Sequence, residues 1–342
     1  MKTLSRLGFF LLTCFSLVFI QCTTDPIPGP PGEDGVDGVD GVDGVNGTTQ
    51  CAACHNVTTS EAVHASYLFS GHASGSTAAR GSSASCAQCH SNEGFIDYAT
   101  MGMVNPDGYE NPTKISCTTC HDMHTSFDFE NDGYDYALRV LSGVDLIADP
   151  TYNLDFSGTS NACAHCHQPR SGPPVDNGLG LYEITSTRFG PHHGPQSTFL
   201  EGIQGGELAG SIDYPAPGSA THRTGSSCTA CHMGETSGEI DGNHTWIPTP
   251  TTCTQCHTNG APESVAGLAE DMDTLLALLV DAGVMEVDDE GDASPVRGTF
   301  KIEEAEAAWN YILLMEDSSM GIHNPGYARA LVQNSIEALS GN

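Results

Sequence analysis

The stretch Ser116–Asp128 reads SCTTCHDMHTSFD. Cys117 and Cys120 stand either side of two residues, and His121 follows at once. That spacing is the signature of covalent c-type haem attachment. Two thiols form thioether bonds to the two vinyl groups of one haem, and the adjacent histidine then lies under the iron as proximal ligand. The pattern occurs six times, at Cys51/Cys54/His55, Cys86/Cys89/His90, Cys117/Cys120/His121, Cys163/Cys166/His167, Cys228/Cys231/His232 and Cys253/Cys256/His257. These twelve cysteines, with Cys14 and Cys22 near the N-terminus, account for all 14 in the chain. Zinc ribbons also use CxxC pairs, and disulfides suit exported proteins. Neither requires a histidine directly after every second cysteine, so the repeat reads as six covalently bound haem c groups.

The composition agrees with that reading. The chain has 342 residues, yet only 7% are aromatic and two are tryptophan, which is thin for a conventional core. The segment 51–260 offers about 35 residues per haem, too few for six separate polypeptide cores. Porphyrins would therefore make up much of the interior. The formal charge of −32 excludes nucleic acid as a partner, because its phosphates would be repelled. It favours solubility and partners with positively charged docking patches.

The chain divides into four parts. Residues 1–21 read as a signal peptide, with Lys2 and Arg6 ahead of an apolar run from Leu7 to Ile20. That run is short for a membrane span. Cys22 resembles the lipid-modified cysteine of bacterial lipoproteins, with Gln21 where a small residue is usual; ordinary secretory cleavage nearby is the other reading. One lipid would tether the protein to a membrane without spanning it. Residues 22–50 form a spacer whose G-x-y triplets, GPPGEDGVDGVDGVDGVNG from Gly29, follow the collagen pattern. It reads as an acidic, extended linker, with a trimeric stalk as the alternative. Residues 51–260 carry the six motifs, and 261–342 form a C-terminal helical segment.

His124 stands three residues after His121, on the proximal side of that motif's own haem. It cannot swing to the distal face, but it can point away and bind the iron of a neighbouring haem. Met123 is a weaker competitor as an axial ligand. Fifteen histidines are present and six are proximal. The other nine are His64, His72, His124, His165, His192, His193, His222, His244 and His323. His165 lies inside the fourth attachment loop, a poor position for another iron, and the adjacent His192 and His193 supply one ligand between them. Seven candidate positions then remain for six irons.

The segments SGHASG, CAQCHSNEGF, CTTCHDMHT, RFGPHHGPQ, ATHRTGSSCTACHM and GNHTW resemble bacterial multihaem cytochromes c, the group that includes pentahaem nitrite reductases and hydroxylamine oxidoreductases. The tail AAWNYILLMEDSSMGIHNPGYARALVQNSIEAL resembles the C-terminal helices of that group, in which a G-x-H-N-P histidine reaches back to a haem. The resemblance implies a mainly α fold with little regular structure, wrapped around stacked haems. It also implies a distal ligand set of His72, His124, His192 (or His193), His222, His244 and His323, with His64 in reserve.

In the C-terminal segment, Leu268, Met272, Leu275 and Leu279 recur at helical spacing and predict an amphipathic helix over 263–284. Ala305, Ala308, Ile312 and Met315 mark a second helical face. Pro325 opens a third helix at its first turn.

Two functions fit these features. With six distal histidines for six irons, every site is closed and the protein is an electron carrier, part of a respiratory or extracellular route outside the cytoplasm. It would be exported to the periplasm, outer membrane or cell surface and would dock other redox proteins. Self-assembly into haem arrays is a further option. Alternatively, one open haem would act on a small nitrogen or sulfur compound. Against that stand the absence of any C-x-x-C-K motif and a total of only 11 Lys and Arg. Arg188 and Arg223, beside His192 and His222, could equally pair with haem propionates.

Overall fold

Each attachment motif lies on or immediately beyond a short helix. In the computed structural model these helices are Thr49–Cys54, Ala84–His90, Cys117–Cys120, Asn161–Ala164, Cys228–His232 and Pro250–Thr254. The physical reason is the helical period: positions i, i+3 and i+4 share one face. Both thiols and the histidine of a CxxCH motif therefore point the same way. Where the regular helix stops early, single hydrogen bonds complete the turn. The backbone N–H of His121 donates to Cys117 O (2.8 Å), that of His167 to Cys163 O (2.9 Å) and that of His257 to Cys253 O (2.8 Å).

The structure describes residues 49–128, 131–132, 135–236 and 241–341. The leader, Cys22 and the glycine triplets lie outside them. From Ala53 onwards the chain forms one compact unit. Most elements before residue 260 are short, and caps fix their starts. The Asn56 side chain accepts from Thr59 N (2.9 Å) to open the Val57–Leu68 helix. The Ser70 hydroxyl accepts from Ala73 N (3.1 Å) to open Gly71–Ser74, the turn that carries His72. Ser91 caps Asn92–Met101 through Gly94 N (3.0 Å).

The large apolar core lies in the C-terminal part. Three helices, Leu268–Asp281, Ile302–Asp317 and Pro325–Ser340, pack together with Ile184, Phe199 and Leu208. The first helix buries Leu268, Met272, Leu275 and Leu279, the expected stripe, but it is shorter than the expected 263–284. Gly267 sits at φ +81°, a left-handed conformation that favours glycine and sets the N-terminal boundary. In the second helix Ala305 and Ala308 are buried as expected, whereas Met315 is 56% exposed. The helix is covered on further sides instead. Its Trp309 donates an indole hydrogen bond to Gln204 O (2.8 Å), and Asn310 holds the backbone of Gly206 both ways (2.7 and 2.8 Å). The third helix opens with Pro325 in its first turn and is capped by Asn324, which accepts from Tyr327 N.

Among the described residues, three two-stranded antiparallel ribbons add structure that the sequence pattern did not foretell. One pairs Leu181–Ile184 with Gly298–Lys301, with Tyr182 opposite Phe300. It fastens the region of the attachment motifs directly to the C-terminal helices. A second, smaller core of Val144, Leu146, Leu154, Phe156, Ala164 and Leu200 lies under the fourth motif.

Candidate haem-ligand pairs

The six motif histidines each face one other histidine. The ring pairs are His55 with His124 (5.9 Å between centres), His90 with His192 (6.3 Å), His121 with His244 (6.2 Å), His167 with His72 (6.2 Å), His232 with His323 (6.1 Å) and His257 with His222 (6.0 Å). An iron bound by two imidazole nitrogens at about 2.0 Å, each ring centre about 1.1 Å behind its nitrogen, sets the centres about 6.2 Å apart. All six separations lie close to that value. The residues present therefore fit six haem irons, each with an imidazole on either side.

The motif thiols differ in how far the polypeptide covers them. Cys54, Cys117 and Cys256 are exposed; the other nine are partly covered. Cys256 shows the reason most clearly. It lies in the turn beyond the Pro250–Thr254 helix, where its backbone N–H donates to Cys253 O (3.1 Å). Residues 254–260, TQCHTNG, are exposed throughout. That run offers no large apolar side chain to draw another element over it. Cys256 nonetheless keeps the helical turn that sets it on one face with Cys253 and His257.

His124 faces His55, the histidine of the first motif, and not His121 three residues before it. His121 faces His244 from the far side of the chain. The His192–His193 step is resolved by backbone conformation. Both residues have positive φ (74° and 55°), and the reversal sends them in different directions. His192 turns to His90, while His193 is 81% exposed and its Nδ1 meets Glu316 Oε1 at 3.0 Å. His64 is exposed on the Val57–Leu68 helix, which buries none of its residues. His165 is buried with its ring against Phe95 and Tyr98, a packing role between the second and fourth motifs.

A metal-binding imidazole must offer one nitrogen lone pair, and a hydrogen bond at Nδ1 leaves Nε2 for the metal. Five of the paired rings have such an anchor. His121 Nδ1 donates to Tyr136 O (2.8 Å), His167 to Gln196 Oε1 (3.1 Å), His222 to Ile322 O (2.5 Å), His232 to Trp246 O (2.8 Å) and His323 to Asp317 Oδ1 (2.7 Å). The Gln196 amide is itself oriented, because its Nε2 donates to Glu316 O (2.9 Å).

Burial favours the neutral form of six of the paired rings. It lowers the pKa of His90, His167, His192, His232 and His244, and takes His72 down to about 4 with help from the neighbouring His167. His323 is the exception. Burial pulls its pKa down, but the hydrogen bond and charge of Asp317 outweigh it and hold the pKa above the usual value.

Sequence reasoning passed over Trp246. It occupies a left-handed conformation (φ +56°), and three ligand candidates meet at this one residue. Its indole meets the rings of His72 (4.6 Å) and His244 (5.4 Å), and its carbonyl anchors His232. Its only sequence signal is its place two residues after His244. Asp317 and Gln196 were equally silent, since their partners lie elsewhere in the chain.

Contacts among the motifs show which attachment loops are neighbours. Gln88 Nε2 in the second loop donates to His165 O in the fourth (3.1 Å). Ser160 Oγ, beside the fourth loop, meets Ser227 Oγ at 2.8 Å, beside the fifth. Arg223 is committed elsewhere: its Nε pairs with Glu201 Oε2 at 2.6 Å, and its guanidinium stacks over Phe156 at 4.4 Å. Among the described residues, the one group of three or more ligand side chains that converges on a point is Asp288, Glu290 and Asp292, all exposed. The motif cysteines form no zinc-type cage there. No helix among the described residues is long and apolar enough to cross a membrane.

No family model matches the sequence. The chain is similar to the C-type polyheme cytochrome OmcB of two Geobacter sulfurreducens strains, DL-1/KN400 and PCA. Each is 25% identical over 215 residues, which cover 54% of this chain and 27% of the relative. The chain thus spans about a quarter of the length of the curated relatives it matches. Among solved structures, the outer cell wall cytochrome OcwA aligns with a TM-score of 0.48 and 18% identity, over 81% of this chain and 50% of that one. The likeness to OmcB supports a multihaem c-type cytochrome.

Proposed function

We propose that this chain is a hexahaem c-type cytochrome that carries electrons outside the cytoplasm, with every iron closed by two histidines. The observation that carries the reading is the set of six facing ring pairs, each at 5.9–6.3 Å and each containing one CxxCH histidine. The twelve motif cysteines, the exposed Cys54, Cys117 and Cys256 among them, supply the thioethers. The proximal ligands are His55, His90, His121, His167, His232 and His257. Their distal partners are His124, His192, His244, His72, His323 and His222 respectively. Haem supplies the one-electron chemistry; the chain's own task is to hold the ligands so that nothing moves when the electron does. Hydrogen-bond anchors such as Tyr136 O, Gln196 Oε1 and Trp246 O serve that task, because a fixed ring keeps reorganisation small.

The leader and Cys22 support export with a lipid tether, and the excess of acidic groups supports docking to positively charged patches on redox partners. Such docking weakens as salt rises. The alternative of an enzyme with one open haem finds little support in the geometry, since each motif histidine has a facing imidazole.

The test is a haemochrome assay on the purified holoprotein, followed by carbon monoxide added to the dithionite-reduced form. The proposal expects six haems per chain and no Soret shift with carbon monoxide, because each sixth position is filled. A shift equivalent to one haem would favour the open-site enzyme. A count below six would remove the hexahaem reading.

A further inference from the structure

One carboxylate stands apart from the other ligand anchors. Four of the five Nδ1 hydrogen bonds described above end on neutral oxygens: three backbone carbonyls and the Gln196 amide. The fifth, from His323, ends on Asp317 Oδ1 at 2.7 Å. The Asp317 side chain is 1% exposed. Its other carboxylate oxygen accepts from Ser319 Oγ, and Ser319 Oγ also accepts from the His323 backbone N–H (3.2 Å). Among the described residues no Lys or Arg pairs with Asp317.

The position is costly on elementary grounds. Asp317 is the last residue of the Ile302–Asp317 helix, where the helix dipole opposes a negative charge. Burial of a carboxylate adds a desolvation penalty. The Nδ1–H of His323 and the Ser319 hydroxyl, both donated to the carboxylate, offset part of that cost.

Taking His323 as the distal ligand of the fifth haem, as proposed above, we infer that Asp317 is a potential-setting residue for that haem alone. Two effects act in the same direction. A carboxylate accepting Nδ1–H makes the imidazole a stronger donor to the iron through Nε2. A fixed negative charge in a water-poor site also favours the more positive, ferric iron. Asp317 therefore makes the haem held by Cys228 and Cys231 harder to reduce than the same haem with a neutral anchor. Ser319 moderates the effect, because its hydroxyl draws charge away from the imidazole-facing oxygen.

The test is an EPR-monitored redox titration of the full holoprotein and of the Asp317→Asn variant, with haem count checked in each. Asparagine keeps an oxygen for the Nδ1–H and removes only the charge. One of the six one-electron components should move to higher potential, by tenfold or more in its reduction equilibrium constant, or about 59 mV. The other five should stay in place. Ser319→Ala should move the same component the opposite way. It also keeps the question decidable if Asp317→Asn fails to mature with six haems. A His323→Ala variant separates this inference from the ligand assignment. If it creates no high-spin haem, the assignment of His323 fails. If it creates one, but Asp317→Asn or Ser319→Ala leaves every potential unchanged, the role of Asp317 alone is overturned.

Discussion

Replacement of His124 by alanine discriminates sharply between local and long-range ligation. His124 lies three residues from His121, so a local reading would couple its loss to the third haem. The structure instead sets its ring 5.9 Å from His55 and sets His121 against His244 at 6.2 Å. The predicted casualty is therefore the first haem, bound by Cys51 and Cys54. His124→Ala should turn one of six irons high-spin, about 17% of the total. His244→Ala should do the same at the third haem. Because the two histidines serve different irons, the double variant should turn two of six high-spin, about 33%. If both served one iron, the double variant would stay at one sixth. The side chain of His124 is half-buried and packs on Phe127 at 5.6 Å, so the fold should lose only about 1 kcal/mol. Quantitative EPR of the ferric proteins, normalised to haem content, gives the fractions. An unchanged low-spin count in His124→Ala would refute the pairing, and a double variant stuck at one sixth would refute the geometry behind it.

Ring-plane angles divide the six sites into two spectroscopic classes. His121/His244 and His232/His323 have planes 36° and 44° apart, whereas the other four pairs lie at 64–77°. Nearly parallel rings split the iron d orbitals and nearly crossed rings equalise them, so low-temperature EPR should show two rhombic and four strongly axial low-spin signals. Six equivalent signals would contradict the ring orientations. The Arg223–Glu201 pair, with side chains 18% and 9% exposed, should be structurally important: Arg223→Met strands a buried carboxylate and should cost about 3 kcal/mol in denaturant unfolding. Adding Glu201→Gln should recover much of that loss; no recovery would show that the cost is packing alone. A Cβ at Gly94 would lie 2.3 Å from Ala87 O, inside the second motif. Gly94→Ala should therefore displace that loop and lower haem incorporation at Cys86 and Cys89 by mass spectrometry, whereas full occupancy would show that the loop yields freely.

The attachment motifs were legible because thioether chemistry is local. Cys, Cys and His at i, i+3 and i+4 share a helical face wherever they occur, and no tertiary knowledge is needed. The exposure of Cys256 was not legible in the motif itself, because it depends on what packs over the polar run that follows. The Leu268–Leu279 stripe was legible for the same reason as the motifs. The partners of the motif histidines were not fixed by local spacing, since His232 and His323 are 91 residues apart and meet only after the C-terminal helices dock. Nor does the adjacency of His192 and His193 say which ring faces His90; two successive left-handed residues decide it. Trp246 and Asp317 escaped notice because a tryptophan near a histidine and an acid at a helix end are commonplace in sequence. Their meaning lies in distances to rings from distant segments. The Met315 side chain showed the converse, an apolar residue at helical spacing that faces solvent because the Gln204–Gly206 loop and two helices had already enclosed the core-facing sides.

The central claim is that six irons are each held between two imidazoles. Quantitative low-temperature EPR of the ferric wild-type protein, normalised to a haemochrome count, tests it most directly. The account predicts six haems per chain, all low-spin. A high-spin signal equal to one haem would contradict it, and would mark the motif whose facing histidine is not a ligand.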